Sequence, residues 1–185
     1  MVYDPDHSSL FVPPSTQDHI QGVLSAVVVL VMYGDYECFR SANVYRLIRV
    51  AQQQLSASSG ENDLGFIFRH FPQEQIHSHA QRAAAAAEAA AAQGQFWQMH
   101  EMLFIHQQEL ENGYLVEYAN RLGLDISKFL QDLSGGVYVD RINADIEGGL
   151  QSGVAAAPAL FINEIRYIGR WNIDQLMAAI ITVSN

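Results

Sequence analysis

The chain has 185 residues, 49% of them hydrophobic and 16% charged, with a formal net charge of −10. That length and balance suit one globular domain with a sizeable core and exclude a disordered chain. The acidic surplus argues against nucleic acid and anionic membranes as partners, because the long-range field repels both, and the single cysteine, Cys38, excludes a disulfide-stapled scaffold.

Residues 1–22 are polar and contain Pro5, Pro13 and Pro14. They read as an extended N-terminal arm, with an edge strand expected around Ser9 to Val12. Met1 to His7 lack the basic stretch of a secretory signal. Residues 23–185 read as a single domain. The run 23–32 is rich in β-branched residues and apolar on both faces, the pattern of a central strand covered by helices on each side. It is too short for a bilayer span, which needs about 20 residues. A soluble, cytoplasmic protein is expected.

A turn at Gly34 leads into a helix over 39–55, with Val44, Leu47, Ile48, Ala51 and Leu55 on its apolar face. Ser56 to Gly60 is a loop signal. A second apolar run, 64–71, is stopped by Pro72. Strand, helix and strand at this spacing predict a βαβ unit with parallel strands. From about 77 to 151 the pattern is helical throughout. Residues 80–92 are nearly pure alanine and predict a tightly packed helix. Gly94 breaks it, and Phe96, Trp97, Met99, His100, Leu103 and Phe104 form the next stripe. Helices over 114–122, 125–133 (capped by Asp125) and 137–150 follow. A hairpin turning at Asn163-Glu164 and a last helix over 173–181, capped by Asn172, close the chain. The fold class is α/β, βαβ then ββα, with an all-helical insertion between the halves.

Cys38 ends the first strand and opens the first helix. Unpaired backbone N–H groups and the helix dipole favour an anion there, which is a setting of reactive thiols. Glu37 and Arg40 flank it, so the thiol is expected to be accessible, with Glu37 facing water. Arg40 would favour the thiolate, and Ser41 offers a hydroxyl. Ser41 has no sequence-evident base and does not read as a nucleophile. His70, His77, His79, His100 and His106 are metal-competent imidazoles. Without a second cysteine or a His-Glu-x-x-His pattern they read as structural, and no metal or bound cofactor is expected. Phe96, Trp97, Met99 and Phe104 read as core lining, and so does Trp171.

Taken in order, these motifs resemble the DsbA branch of the thioredoxin-fold superfamily. The matching residues are Tyr33-Gly34-Asp35-Tyr36-Glu37-Cys38, then Phe68-Arg69-His70-Phe71-Pro72 with Ile76-His77, then Phe96-Trp97-Met99-His100, then Gly153-Val154 with Pro158 and Phe161-Ile162-Asn163. The resemblance implies a thioredoxin fold and thiol–disulfide exchange. It implies that Cys38 attacks, that Pro158 is cis and lies near the sulfur, and that the Ala157 backbone pairs with substrate. The chain departs from the family at the centre, where Cys38-Phe39-Arg40-Ser41 replaces Cys-Pro-x-Cys. Ala156-Ala157 also replaces the small polar residues common before that proline. Ser41 cannot close a disulfide with Cys38. The expected enzyme is therefore a monothiol oxidoreductase with catalytic Cys38 and Ser41 and a substrate surface of Phe39, Arg40, Ala157 and Pro158. Its partners would be protein or glutathione disulfides, with glutathione as a co-substrate that resolves the mixed disulfide. Two other readings fit the same residues: an inactive family member that binds peptides or a partner protein, and a glutathione-dependent isomerase or transferase. In the last class the serine usually stands where Cys38 stands here.

Overall fold

The computed structural model describes residues 9–58 and 64–184. The arm before residue 9 and the end of the loop expected at 56–60 lie outside the described residues. A short strand β1 (His19–Gln21) precedes β2 (Val28–Gly34), α1 (Phe39–Ser58) and β3 (Leu64–His70). Five helices then intervene: α2 (Ala80–Ala91), α3 (Phe96–Ile105), α4 (Asn112–Arg121), α5 (Ile126–Gly135) and α6 (Val139–Gln151). The chain ends with β4 (Ala159–Ile162), β5 (Ile165–Arg166) and α7 (Ile173–Ser184). The strands form one sheet in the order β1-β3-β2-β4-β5. β2 and β3 run parallel, from Val28 opposite Leu64 to Gly34 opposite His70, while β4 pairs antiparallel with β2.

β2 is buried along its whole length and splits its side chains between two cores. Val28, Leu30 and Met32 face one side, with residues of α1, α2, α3 and α7. Val29, Val31 and Tyr33 face the other, with Leu10, Ile67, Phe71 and Phe161. Full burial of such side chains contributes about 1.5–3 kcal/mol each. Helices were expected on both faces. On the second face the N-terminal arm takes part of that role, with Leu10 buried and Ile146 of α6 packed alongside.

The arm pairs at a different place from the one expected. Ser9 makes only an isolated bridge to Ile165, and the edge strand is His19–Gln21, antiparallel to β3. Arg69 anchors the arm. Its guanidinium donates to both oxygens of Asp18 (2.8 and 3.0 Å), to the Val12 and Pro13 carbonyls (2.7 and 3.2 Å) and to the Tyr33 hydroxyl (3.1 Å).

The alanine run forms α2, most of whose small side chains between Ala80 and Ala90 are buried and leave room for its one buried acid, Glu88. Asp125 caps α5 through the Lys128 N–H at 3.0 Å, and Gly136 ends it in the left-handed conformation (φ 62°). The hairpin turn puts Asn163 and Glu164 at φ 45° and 69°, as a two-residue turn of this kind requires. Asn163 secures it by accepting from Val29 N–H and donating to the Val27 carbonyl.

Candidate active site

The site grows from the turn after β2. A Cβ at Gly34 would collide with the Phe68 ring, so glycine lets the strand end close against the core. Asp35 follows, buried, and its carboxylate organises the loop. Oδ1 accepts from Glu37 N–H, and Oδ2 accepts from Gln73 N–H and from His77 Nδ1–H, each at 2.8 Å. Its carbonyl accepts from Cys38 N–H at 3.2 Å. The Cys38 carbonyl accepts from Ala42 N–H, so the cysteine sits just ahead of α1. Gln107, beyond α3, donates to the Tyr36 and Cys38 carbonyls at 2.6 and 3.0 Å and holds the loop from the helical side.

The sulfur is less open than its charged neighbours suggest. Cys38 is only 8% exposed, because the loop before β4 closes over it. Its thiol donates to the Ala157 carbonyl at 3.7 Å, and the Ala157–Pro158 peptide bond is cis. The Ala157 N–H in turn donates to the side-chain carbonyl of Gln73 at 3.2 Å. Cys38, Ala157 and Pro158 thus come together across 119 residues of chain.

The other expected site residues divide. Phe39 is 66% exposed, with the Arg46 guanidinium 6.0 Å from its ring centre. Arg40 is exposed and makes no ion pair among the described residues. Both lie on the outer surface beside the thiol. Ser41 is fully buried, and its hydroxyl accepts from Asp35 N–H at 3.2 Å. It makes no hydrogen bond to the sulfur among the described residues, so it braces the loop. Glu37 does not simply face water: Oε2 accepts from His79 N–H at 2.7 Å, tying the loop to the start of α2. Trp171 is 44% exposed and packs on Tyr167 outside the main core.

Beneath the loop lies a buried polar cluster. The Tyr36 hydroxyl and His100 Nδ1 share a hydrogen bond of 2.9 Å. Burial pushes the Tyr36 phenol up and holds His100 well below the usual imidazole range, so His100 is neutral at pH 7. His19 and His70 both donate from Nε2 to Glu88 Oε1, at 2.8 and 2.9 Å. Burial works to raise the Glu88 carboxyl, but the two imidazole hydrogen bonds outweigh it and hold the group well below the carboxylate range. His19 and His70 therefore tie β1 and β3 to α2 through Glu88, and of the two only His70 was singled out in the sequence.

A parallel strand feeding a helix that opens on a thiol, faced by a cis-proline loop, defines a thioredoxin-like unit. The family model described as Thioredoxin matches residues 15–181, and the chain belongs to that family. Its fold matches BdbD from Bacillus subtilis (oxidised) with a TM-score of 0.80 at 19% identity, covering 97% of this chain and 99% of that one. It matches alpha-DsbA1 of Wolbachia pipientis with a TM-score of 0.76 at 17% identity, covering 92% of each. In sequence it is 37% identical over 164 residues to Na(+)/H(+) antiporter NhaA 1 of Salinispora arenicola (strain CNS-205), covering 89% of this chain and 24% of that protein. The chain thus spans about a quarter of the length of the curated relatives it matches. No helix among the described residues is long and apolar enough to cross a membrane.

The sequence did not single out Asp35, Gln73 or Gln107. Their signal is faint: each is a polar residue in a segment between regular elements, and only the fold brings them to Cys38 and Ala157.

Proposed function

We propose that the chain is a monothiol thiol–disulfide oxidoreductase working through Cys38. The contact of its sulfur with the Ala157 carbonyl beside the cis Pro158 supports this reading most directly. The Cys38 thiolate attacks one sulfur of a substrate disulfide. A bond forms between Cys38 and that sulfur, the substrate S–S bond breaks, and the other sulfur leaves as a thiolate. An external thiolate such as that of glutathione then attacks the mixed disulfide and releases Cys38. The external sulfur ends bonded to the substrate sulfur that Cys38 had held, so one substrate sulfur is released as a thiolate for each external thiolate consumed, and Cys38 returns unchanged. Phe39 and Arg40 face the incoming substrate, while Ser41 holds the loop. The proposal places the chain in the cytoplasm, where the thiol pool is reducing.

The test is turnover of a glutathione mixed disulfide coupled to glutathione reduction. Wild type turns over and Cys38→Ser does not. Wild-type activity equal to that of Cys38→Ser would sink the reading. Ser41→Cys adds a resolving thiol, and that variant is expected to cycle between dithiol and disulfide and to oxidise a reduced peptide.

A second reading is a partner-binding unit without turnover. The match to about a quarter of proteins named as antiporters supports it, since the corresponding segment there accompanies a transporter. This reading requires binding to such a partner that survives Cys38→Ala, together with no thiol turnover.

A further inference from the structure

The backbone of Ala157 contacts the sulfur, and both of its hydrogen-bonding groups are already engaged within the chain. Its carbonyl takes the Cys38 thiol, and its N–H is held by Gln73 Oε1 at 3.2 Å. The two preceding residues, Ala155 and Ala156, are exposed and apolar. A polypeptide bonded to Cys38 would lie along this segment in extended form. Main-chain pairing is what holds such a segment, and the Ala157 N–H is the donor it would use.

Gln73 is built as a fixed post with a movable tip. Its N–H donates to the buried carboxylate of Asp35 at 2.8 Å. Its carbonyl accepts from Ile76 N–H and His77 N–H at 3.0 and 2.9 Å. Asp35 is itself tied to His77 and to the turn that carries Cys38. The backbone of Gln73 is therefore locked to the thiol loop. Its half-buried side chain reaches across to the proline loop through one hydrogen bond and can swing away without unfolding either element.

We propose that Gln73 is a specificity-determining residue of the Cys38 cleft, occupying the Ala157 N–H as a surrogate for a substrate main-chain carbonyl. This rests on the cleft being a thiol-exchange site. A small disulfide such as a glutathione conjugate of free cysteine reaches the sulfur with Gln73 in place. An extended polypeptide gains its main-chain bond only after displacing the glutamine. The resting cleft thus discriminates against extended protein disulfides relative to small ones.

The experiment compares two glutathione mixed disulfides that share one leaving group, that of free cysteine and that of an extended peptide of about ten residues. Rates of mixed-disulfide formation at Cys38 are measured for wild type, Gln73→Ala and Gln73→Glu. The ratio of peptide rate to cysteine rate is expected to rise about fivefold in Gln73→Ala, the effect of one neutral hydrogen bond. Gln73→Glu retains an acceptor oxygen and is expected to keep the wild-type ratio. An unchanged or lower ratio in Gln73→Ala overturns the proposal. A second arm omits the chemistry: the same peptide with serine for cysteine is titrated onto Cys38→Ser and onto Cys38→Ser/Gln73→Ala. Tighter binding to the double variant supports the role of Gln73 even if wild-type Cys38 reacts with neither probe, in which case the redox reading alone fails. Equal or weaker binding overturns it.

Discussion

Two buried carboxylates, Glu88 and Asp145, meet opposite fates beside the same histidine. His70 donates from its ring to Glu88 and from its backbone N–H to Asp145 Oδ2. For Glu88 the two imidazole bonds prevail over burial. Its folded value lies below the unfolded one, so it adds stability above about pH 4.3 that is lost only as pH falls through the depressed value. For Asp145 burial prevails over the opposing effects of His70 and Arg141, and the carboxyl titrates above its ordinary value. An acid with a raised folded value weakens the fold at high pH, and that cost fades as pH falls toward about 3.9. Asp145→Asn keeps an acceptor for the His70 N–H and removes the buried charge. Thermal unfolding across pH is expected to show the variant more stable at pH 8, by about 2–4 °C for each kcal/mol in a domain of this size. The gain should vanish near pH 4. At this scale the sequence was a poor guide: nothing in the order of residues shows that His19, His70 and Glu88 converge.

Among the elements, those with a strong pattern were legible. β2 is apolar from Val28 to Tyr33 and β3 from Leu64 to Phe68, and the alanine helix follows from propensity alone. β1 was not, because His19-Ile20-Gln21 carries one apolar residue and becomes a strand only by pairing with Phe66 to Phe68 of β3. The exposure of Cys38 was misread for a related reason. Its sequence neighbours are charged, but the loop that covers it lies more than a hundred residues away. The approach of α3 to the thiol loop is equally non-local, through the bond of His100 to Tyr36 and through Gln107 just beyond the helix. Gln107→Ala removes both bonds to the Tyr36 and Cys38 carbonyls. The expected loss is about 1–3 kcal/mol, read in denaturant unfolding. Faster amide exchange at the start of α1 should accompany it.

At the scale of the molecule, the division into an arm and a domain at residue 23 understates the arm. Leu10 is part of a core, and Asp18 pairs with the buried guanidinium of Arg69. Deleting residues 1–22 exposes one face of Val31 and Ile67, removes β1 and strands that cation. Breaking a buried ion pair alone costs about 3–5 kcal/mol, a large part of the 5–15 kcal/mol typical of a whole domain. The truncated chain is expected to show no cooperative unfolding transition by calorimetry. The fold class was still readable because it depends on the order of strong elements, and the arm was not because its sequence is polar and its role is to satisfy groups elsewhere.

The contact between Cys38 and Ala157 also has a use beyond chemistry. It joins the two loops at the chain's sole thiol, so that group serves as a built-in gauge. Parting of the loops, unwinding of the first turn of α1 or a swing of Gln73 would each register as a change in alkylation rate at one site, with no introduced label and no competing signal.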